Sequence, residues 1–264
     1  MLTLEGVTYR YPGARRPSLR DIHLELANGE VVGLVGAGEA GKTTLCLVAS
    51  GLAPRSVGGT LDGRLLIDGE DTAGRPIHDL AARVGVGFQN PATQLSQVAD
   101  TVFEEVAFGA LNLGLDRLDV AARTAQALHA LGIDRLAERD PRRLSGGQMQ
   151  LVAVAGLLAM RPAHLVLDEP TAQLDPEGKQ LVAQALRRLS AEGTALLIAE
   201  HDTDLLAALC RRVVALDGGS IVLSGATADV LADRRLPALG IDPPARIRLA
   251  RALEAAGVSA ELPT

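Results

Sequence analysis

Residues Gly36-Ala37-Gly38-Glu39-Ala40-Gly41-Lys42-Thr43 keep the spacing G-x-x-x-x-G-K-[ST], which requires a buried strand before it and a helix after it. Val31-Val32-Gly33-Leu34-Val35 is a short continuous apolar run, and a helix is predicted from Lys42 to about Ser50. In that setting the backbone N–H groups of the turn and of the helix N-terminus converge on phosphate oxygens. Gly36, Gly38 and Gly41 allow close backbone approach. Lys42 supplies a compact cation for the outer phosphates. The Thr43 hydroxyl, with Thr44 beside it, faces the accompanying Mg²⁺. Composition sharpens the case: the chain has only two lysines, Lys42 and Lys179. A chain that takes nearly all its positive charge from Arg keeps Lys here, where a compact ammonium fits and a planar guanidinium would not.

A second apolar run, His164-Leu165-Val166-Leu167, ends in Asp168 and Glu169. A carboxylate at a strand end beside a phosphate loop suits the magnesium shell, the role expected of Asp168. Its neighbour, Glu169, is the candidate general base that polarises an attacking water.

The rest of the chain organises around these two strands. The first 35 residues alternate apolar and polar positions between turns, as antiparallel strands do. Further strands are predicted at Leu65–Gly69, Val84–Phe88, Ala195–Ala199, Val213–Leu216 and Ile221–Leu223. From about Thr101 to Gly156 the apolar period is helical, with a clear helix at Asp119–Leu131, and Pro176–Leu189 and Ala245–Ala256 are also helical. Strands alternating with helices imply an α/β fold with a mainly parallel, covered sheet. We therefore expect a main domain over 1–225 with a helical insertion at about 95–157, and a C-terminal extension over 226–264.

Several classes are excluded or disfavoured. The formal net charge of −6 argues against a nucleic-acid partner. The longest apolar candidate, Val152 to Met160, has nine residues, against the ~18 a spanning helix needs. The start, Met1-Leu2-Thr3-Leu4-Glu5, lacks the basic and apolar regions of a signal peptide. Cys46 and Cys210 fit no metal or redox spacing and are expected to be reduced, partly buried thiols.

Leu144-Ser145-Gly146-Gly147-Gln148 resembles the signature motif of the ABC ATPases, and its order relative to the other two motifs is that family's. Ser145, Gly146 and Gly147 precede an apolar helix and offer a second anion-binding helix start. The resemblance implies a P-loop NTPase sheet with N-terminal antiparallel strands and an inserted helical subdomain. It also implies roles for single residues. Tyr11 is similar to the aromatic that stacks on adenine, whereas Tyr9 more simply packs. Gln89 is similar to the Q-loop glutamine near Mg²⁺ and water, Asp175 to the D-loop aspartate, and His201 to the switch histidine at the γ-phosphate. Two such domains would pair head to tail, the phosphate loop of one facing Ser145 to Gln148 of the other.

Gly87-Phe88-Gln89-Asn90-Pro91-Ala92-Thr93-Gln94-Leu95 and Thr101 to Gly109 look like the energy-coupling-factor importers, which take up metal ions or vitamins. Pro243-Pro244 with Leu249 to Gly257 resembles that subgroup's extension, a dimerisation element. The implied partners are a second ATPase subunit and integral membrane subunits, at the cytoplasmic face of a membrane. Another ABC transporter branch, or a soluble ABC ATPase outside transport, is the alternative. All three phenylalanines fall within 88–108, and some are expected to line a groove for the membrane subunit. Three positions depart from the family pattern: Glu39 and Gln173 stand where glycine is common, and Leu151 where arginine is.

Overall fold

The computed structural model describes residues 1–256; the last residue of the predicted extension motif, Gly257, lies outside them. Among the described residues the strands are β1 (Leu2–Arg10), β2 (Leu19–Leu26), β3 (Val31–Val35), β4 (Thr60–Ile67), β5 (Glu70–Asp71), β6 (Val84–Gly87), β7 (His164–Asp168), β8 (Ala195–Ala199), β9 (Arg212–Asp217) and β10 (Ser220–Ala226). The helices are α1 (Lys42–Ala49), α2 (Leu52–Arg55), α3 (Ile77–Ala81), α4 (Val102–Asn112), α5 (Arg117–Ala130), α6 (Gly146–Met160), α7 (Pro176–Ala191), α8 (Thr203–Leu209), α9 (Thr227–Leu231) and α10 (Ala245–Ala255). An antiparallel sheet runs β2-β1-β4-β5, and a six-stranded sheet runs β10-β9-β3-β8-β7-β6. Within the latter, β9 to β6 are parallel and β10 is an antiparallel edge.

Strand periodicity explains the layers. Val32 and Leu34 of β3, Val166 of β7 and Leu197 of β8 face a core shared with the antiparallel sheet and α1. Their neighbours Val31, Val35, Leu165, Leu167, Leu196 and Ile198 face the opposite core, built with α4 to α7. Successive side chains on a strand point to opposite faces, so strands apolar throughout must be covered on both. Each such Val or Leu contributes about 1.5–3 kcal/mol on burial.

The helical region is three helices, and its last runs to Met160, past the Gly156 at which the sequence pattern ends it. Leu157, Leu158 and Ala159 are buried in the core and carry the helix on; it ends at Arg161 in the left-handed region, φ 49°. Local caps set the starts. Thr101 and Glu104 form a reciprocal capping box on α4, Asp116 caps α5, and Asp175 followed by Pro176 opens α7. Strand β4 starts five residues earlier than its apolar pattern, because Thr60 to Arg64 are mostly exposed. Helix α8, unread in the sequence, is short and starts on an Asp202 cap. The chain after β10 returns to the core through Leu231, Leu236 and Ile241. There Thr203 Oγ1 donates to the Asp242 carbonyl at 2.8 Å. Helix α10 buries none of its residues, and Leu249 is 51% exposed. No helix among the described residues is long and apolar enough to cross a membrane.

Candidate active site

The loop between β3 and α1 is shaped by its glycines. Gly41 adopts φ 107°, a left-handed conformation that favours glycine. Gly36 is needed for space, since a Cβ there would lie 2.8 Å from the Leu216 carbonyl oxygen. Glu39 also sits in the left-handed region, φ 62°, so the residue replacing a common glycine is held where glycine would be relaxed. The β9–β10 turn props the loop: the Gly219 N–H donates to the Ala40 carbonyl at 3.0 Å.

Lys42 is 6% exposed, and its Nζ donates to the carbonyls of Gly36 at 2.7 Å and Ala37 at 3.0 Å. Burial pulls its pKa below the ordinary lysine value, opposed by the nearby Glu169 and Asp168 carboxylates. Asp168 is 4% exposed at the end of β7. Burial pushes its pKa up, the neighbouring Thr43 hydroxyl pulls it down, and Glu169 pushes it up again. Its Oδ1 has no hydrogen-bond partner.

Glu169 follows in a left-handed conformation, φ 51°. Its Oε2 accepts from Gln89 Nε2 at 2.8 Å, and its Oε1 lies 3.2 Å from His201 Nε2. Residues 80 and 32 positions away in the chain thus converge on one carboxylate. All three line the same groove as Lys42, Thr43 and Thr44, a space of about 860 Å³. Arg16, Ser18 and Arg20 form another wall of this groove, and sequence reasoning missed them. The available signal was the cluster Arg15-Arg16 with Arg20, just after Tyr11.

The remaining candidates lie outside that groove. Tyr11 leaves the end of β1, packs edge-on against Tyr9 with ring centroids 5.0 Å apart, and joins α1 through Thr44 Oγ1 at 3.2 Å. Tyr9 is fully buried, as expected of a packing residue. Ser145 and Gln148 form a capping box at the start of α6: each side chain accepts from the other's backbone N–H, at 3.4 and 3.1 Å. A Cβ on Gly146 would lie 2.5 Å from Gln173 Oε1, so the departing Gln173 covers the signature turn. Asp175 accepts from the Gly178 N–H at 2.8 Å. None of Ser145, Gly146, Gly147, Gln148, Asp175 or Tyr11 lines the groove around Lys42.

The sequence profile of the ABC transporter family matches residues 19–172. A putative ABC transporter ATP-binding protein of Pyrococcus abyssi is 38% identical over 98% of this chain and 92% of its own length. The chain belongs to the ABC transporter family. As a member it is an ATP-binding, ATP-hydrolysing subunit. A cobalt import ATP-binding protein of Rhodobacter capsulatus is 42% identical over 95% of this chain and 88% of its own. The energy-coupling factor transporter ATP-binding protein of Methanosarcina acetivorans is 38% identical over 98% and 92%. Among solved structures, CbiO1 of Clostridium perfringens, described as part of the CbiONQ transporter complex, superposes with a TM-score of 0.77 at 31% identity, covering 97% of this chain and 98% of that one. The ABC cassette MJ0796, solved as a dimer bound to ADP and Pi, gives 0.76 at 25% identity over 86% and 99%. These superpositions place the α/β fold among ABC ATPase cassettes.

Proposed function

We propose that this ABC subunit energises an importer of the energy-coupling-factor type, for a metal ion or vitamin. It would do so as one of a pair of ATPase subunits on the cytoplasmic face of a membrane. The observation that carries the catalytic part is the single Glu169 carboxylate reached by Gln89 and His201, in the groove that holds Lys42 and Thr43. The importer part is supported by the names and near-full-length identity of the cobalt-import and energy-coupling-factor relatives.

The loop N–H groups and Lys42 bind the β- and γ-phosphates of ATP, which replace the loop's own carbonyls as partners of Nζ. The Thr43 hydroxyl and the unpartnered Asp168 Oδ1 form an all-oxygen donor set that fits Mg²⁺. No cluster of three or more acidic, His or Cys groups able to hold a metal occurs among the described residues. That suits an ion shared with substrate phosphates and water rather than caged by protein. When bound, Mg²⁺ neutralises phosphate charge. Gln89 borders the Mg²⁺ and water side. Glu169 accepts the proton of the attacking water while His201 contacts the γ-phosphate. Tyr11 lies under the adenine ring. Ser145, Gly146, Gly147 and Gln148 close the site from a second subunit, near Asp175 at the pair interface. The exposed apolar face of α10 extends that association.

Phe108, 39% exposed, lines a second groove of about 230 Å³ with Gln94, Leu95 and Met160. Phe103 instead packs against the core. The groove with Phe108 suits a helix of an integral membrane subunit.

Glu169→Gln is the direct test. Positioned base catalysis supplies roughly 10²–10⁴-fold in rate. The variant should bind MgATP in calorimetry with near-normal affinity and turn over at least about a hundredfold slower. Near-normal turnover would remove Glu169 from its role. Co-purification of polytopic subunits from membranes, followed by ATP-dependent uptake in vesicles, tests the importer assignment.

A further inference from the structure

Glu200, between the end of β8 and His201, has its carboxylate buried at 4% exposure. Oε1 accepts from both the backbone N–H of Thr171, at 3.2 Å, and the Thr171 hydroxyl. Oε2 accepts from the backbone N–H of His201 at 3.0 Å. On the other side of the histidine, Asp202 Oδ2 accepts from Lys179 Nζ at 2.7 Å, while its Oδ1 caps α8 at the Leu205 N–H. The two residues flanking His201 are therefore tied to the two ends of one segment, Thr171 before Asp175 and Lys179 after it. Lys179 is the chain's second and last lysine, and its partner is this acid.

The structure assigns Glu200 and Asp202 as positioning residues that lock the switch histidine to the loop carrying Asp175, so that a displacement of that loop is transmitted to His201. The assignment rests on the proposed role of His201 in hydrolysis. Both oxygens of Glu200 accept, and all three donors it meets are N–H or O–H groups. A carboxylate satisfies them; a carboxamide has only one acceptor oxygen and presents an NH₂ to the remaining N–H. Burial removes the water that would otherwise substitute. Thr171, 1% exposed, contributes its hydroxyl to the same contact.

Steady-state ATPase kinetics and MgATP calorimetry on the purified chain with its co-purifying subunits test this. Glu200→Gln should lower kcat about ten- to a hundredfold and leave the dissociation constant for MgATP within about threefold. Thr171→Val should lower kcat in the same direction, and Thr171→Ser, which keeps the hydroxyl, should restore it. Glu200→Gln combined with Thr171→Val should cost less than the product of the single losses, because both act on one contact. The ring resonances of His201, identified by their loss in His201→Ala, should shift in Glu200→Gln and Thr171→Val but not in Thr171→Ser. Unchanged kcat in folded Glu200→Gln overturns the assignment, as does equal loss of kcat and ATP affinity. If Glu200→Gln fails to fold, the Thr171 pair decides: a serine variant as slow as the valine variant overturns it. Wild-type protein that neither binds nor hydrolyses ATP sinks the hydrolysis reading itself. An active wild type with an indifferent Glu200→Gln sinks only this assignment.

Discussion

Replacing Asp168 by asparagine should raise the stability of the protein in metal-free, nucleotide-free buffer while removing its response to MgATP. The carboxylate is 4% exposed, leaves Oδ1 without a partner and sits beside the like charge of Glu169. A buried polar group left unpaired costs about 1–3 kcal/mol, and more when charged. Asparagine keeps the shape and an acceptor for the Thr43 hydroxyl, loses attraction to Lys42, and removes both the buried charge and its repulsion with Glu169. The net gain expected is about 1–2 kcal/mol. For a protein of this size each kcal/mol moves Tm by about 2–4 °C, giving a rise of roughly 2–8 °C in EDTA by circular dichroism. With MgATP at about a hundred times its Kd, the wild type gains about 2.7 kcal/mol by mass action and the variant far less, so the order reverses. An asparagine variant that melts at or below the wild type in EDTA refutes the argument that this acid is held against its own folding preference for a cation.

Two further outcomes are expected. His164 is fully buried on β7 with Nε2 3.1 Å from Asp68 and Nδ1 without a partner. Burial holds its pKa below the ordinary histidine value against the opposing pull of Asp68. The unfolded chain therefore takes up a proton at about pH 6.5 that the folded chain resists. Stability present above that pH should fall as pH drops toward the lowered folded value, and His164→Gln should flatten this slope in urea titrations between pH 5 and 7.5. Phe108→Asp should abolish ATP-dependent uptake in vesicles while leaving the ATPase rate of the isolated subunit within about twofold; unimpaired uptake would remove that groove from coupling.

Much of this molecule was legible in its sequence because a few constraints acted together. The runs Val31–Val35, Leu165–Leu167 and Ala195–Ala199 carry no polar side chain, which suits strands covered on both faces, and all three lie side by side in the parallel sheet. The candidate residues Lys42 and Glu169 stood out because each motif sits at the end of such a strand, and the fold brings both into one groove. What escaped was whatever depends on long-range geometry. The exposed first half of β4 carries no apolar period. Arg16 and Arg20 join the groove only because β2 passes beside the phosphate loop, where the Arg20 N–H meets the Gly219 carbonyl. Glu200 was invisible as a contact, since its partner Thr171 is distant in the chain and nothing in a neighbouring histidine announces a buried carboxylate. Gln173 showed as a departure, but its position over Gly146 arises only in the folded chain.

The Ser145–Gln148 turn and the groove around Lys42 are separate places on one chain, and that separation decides how damage is shared. Were the proposed second subunit another copy of this chain, a lesion in the loop would harm the copy that bears it, whereas a lesion in the turn would harm its companion. Two crippled versions of the gene, one of each kind, would then rescue one another by half, each mixed assembly keeping one sound chamber and one in which both faults meet.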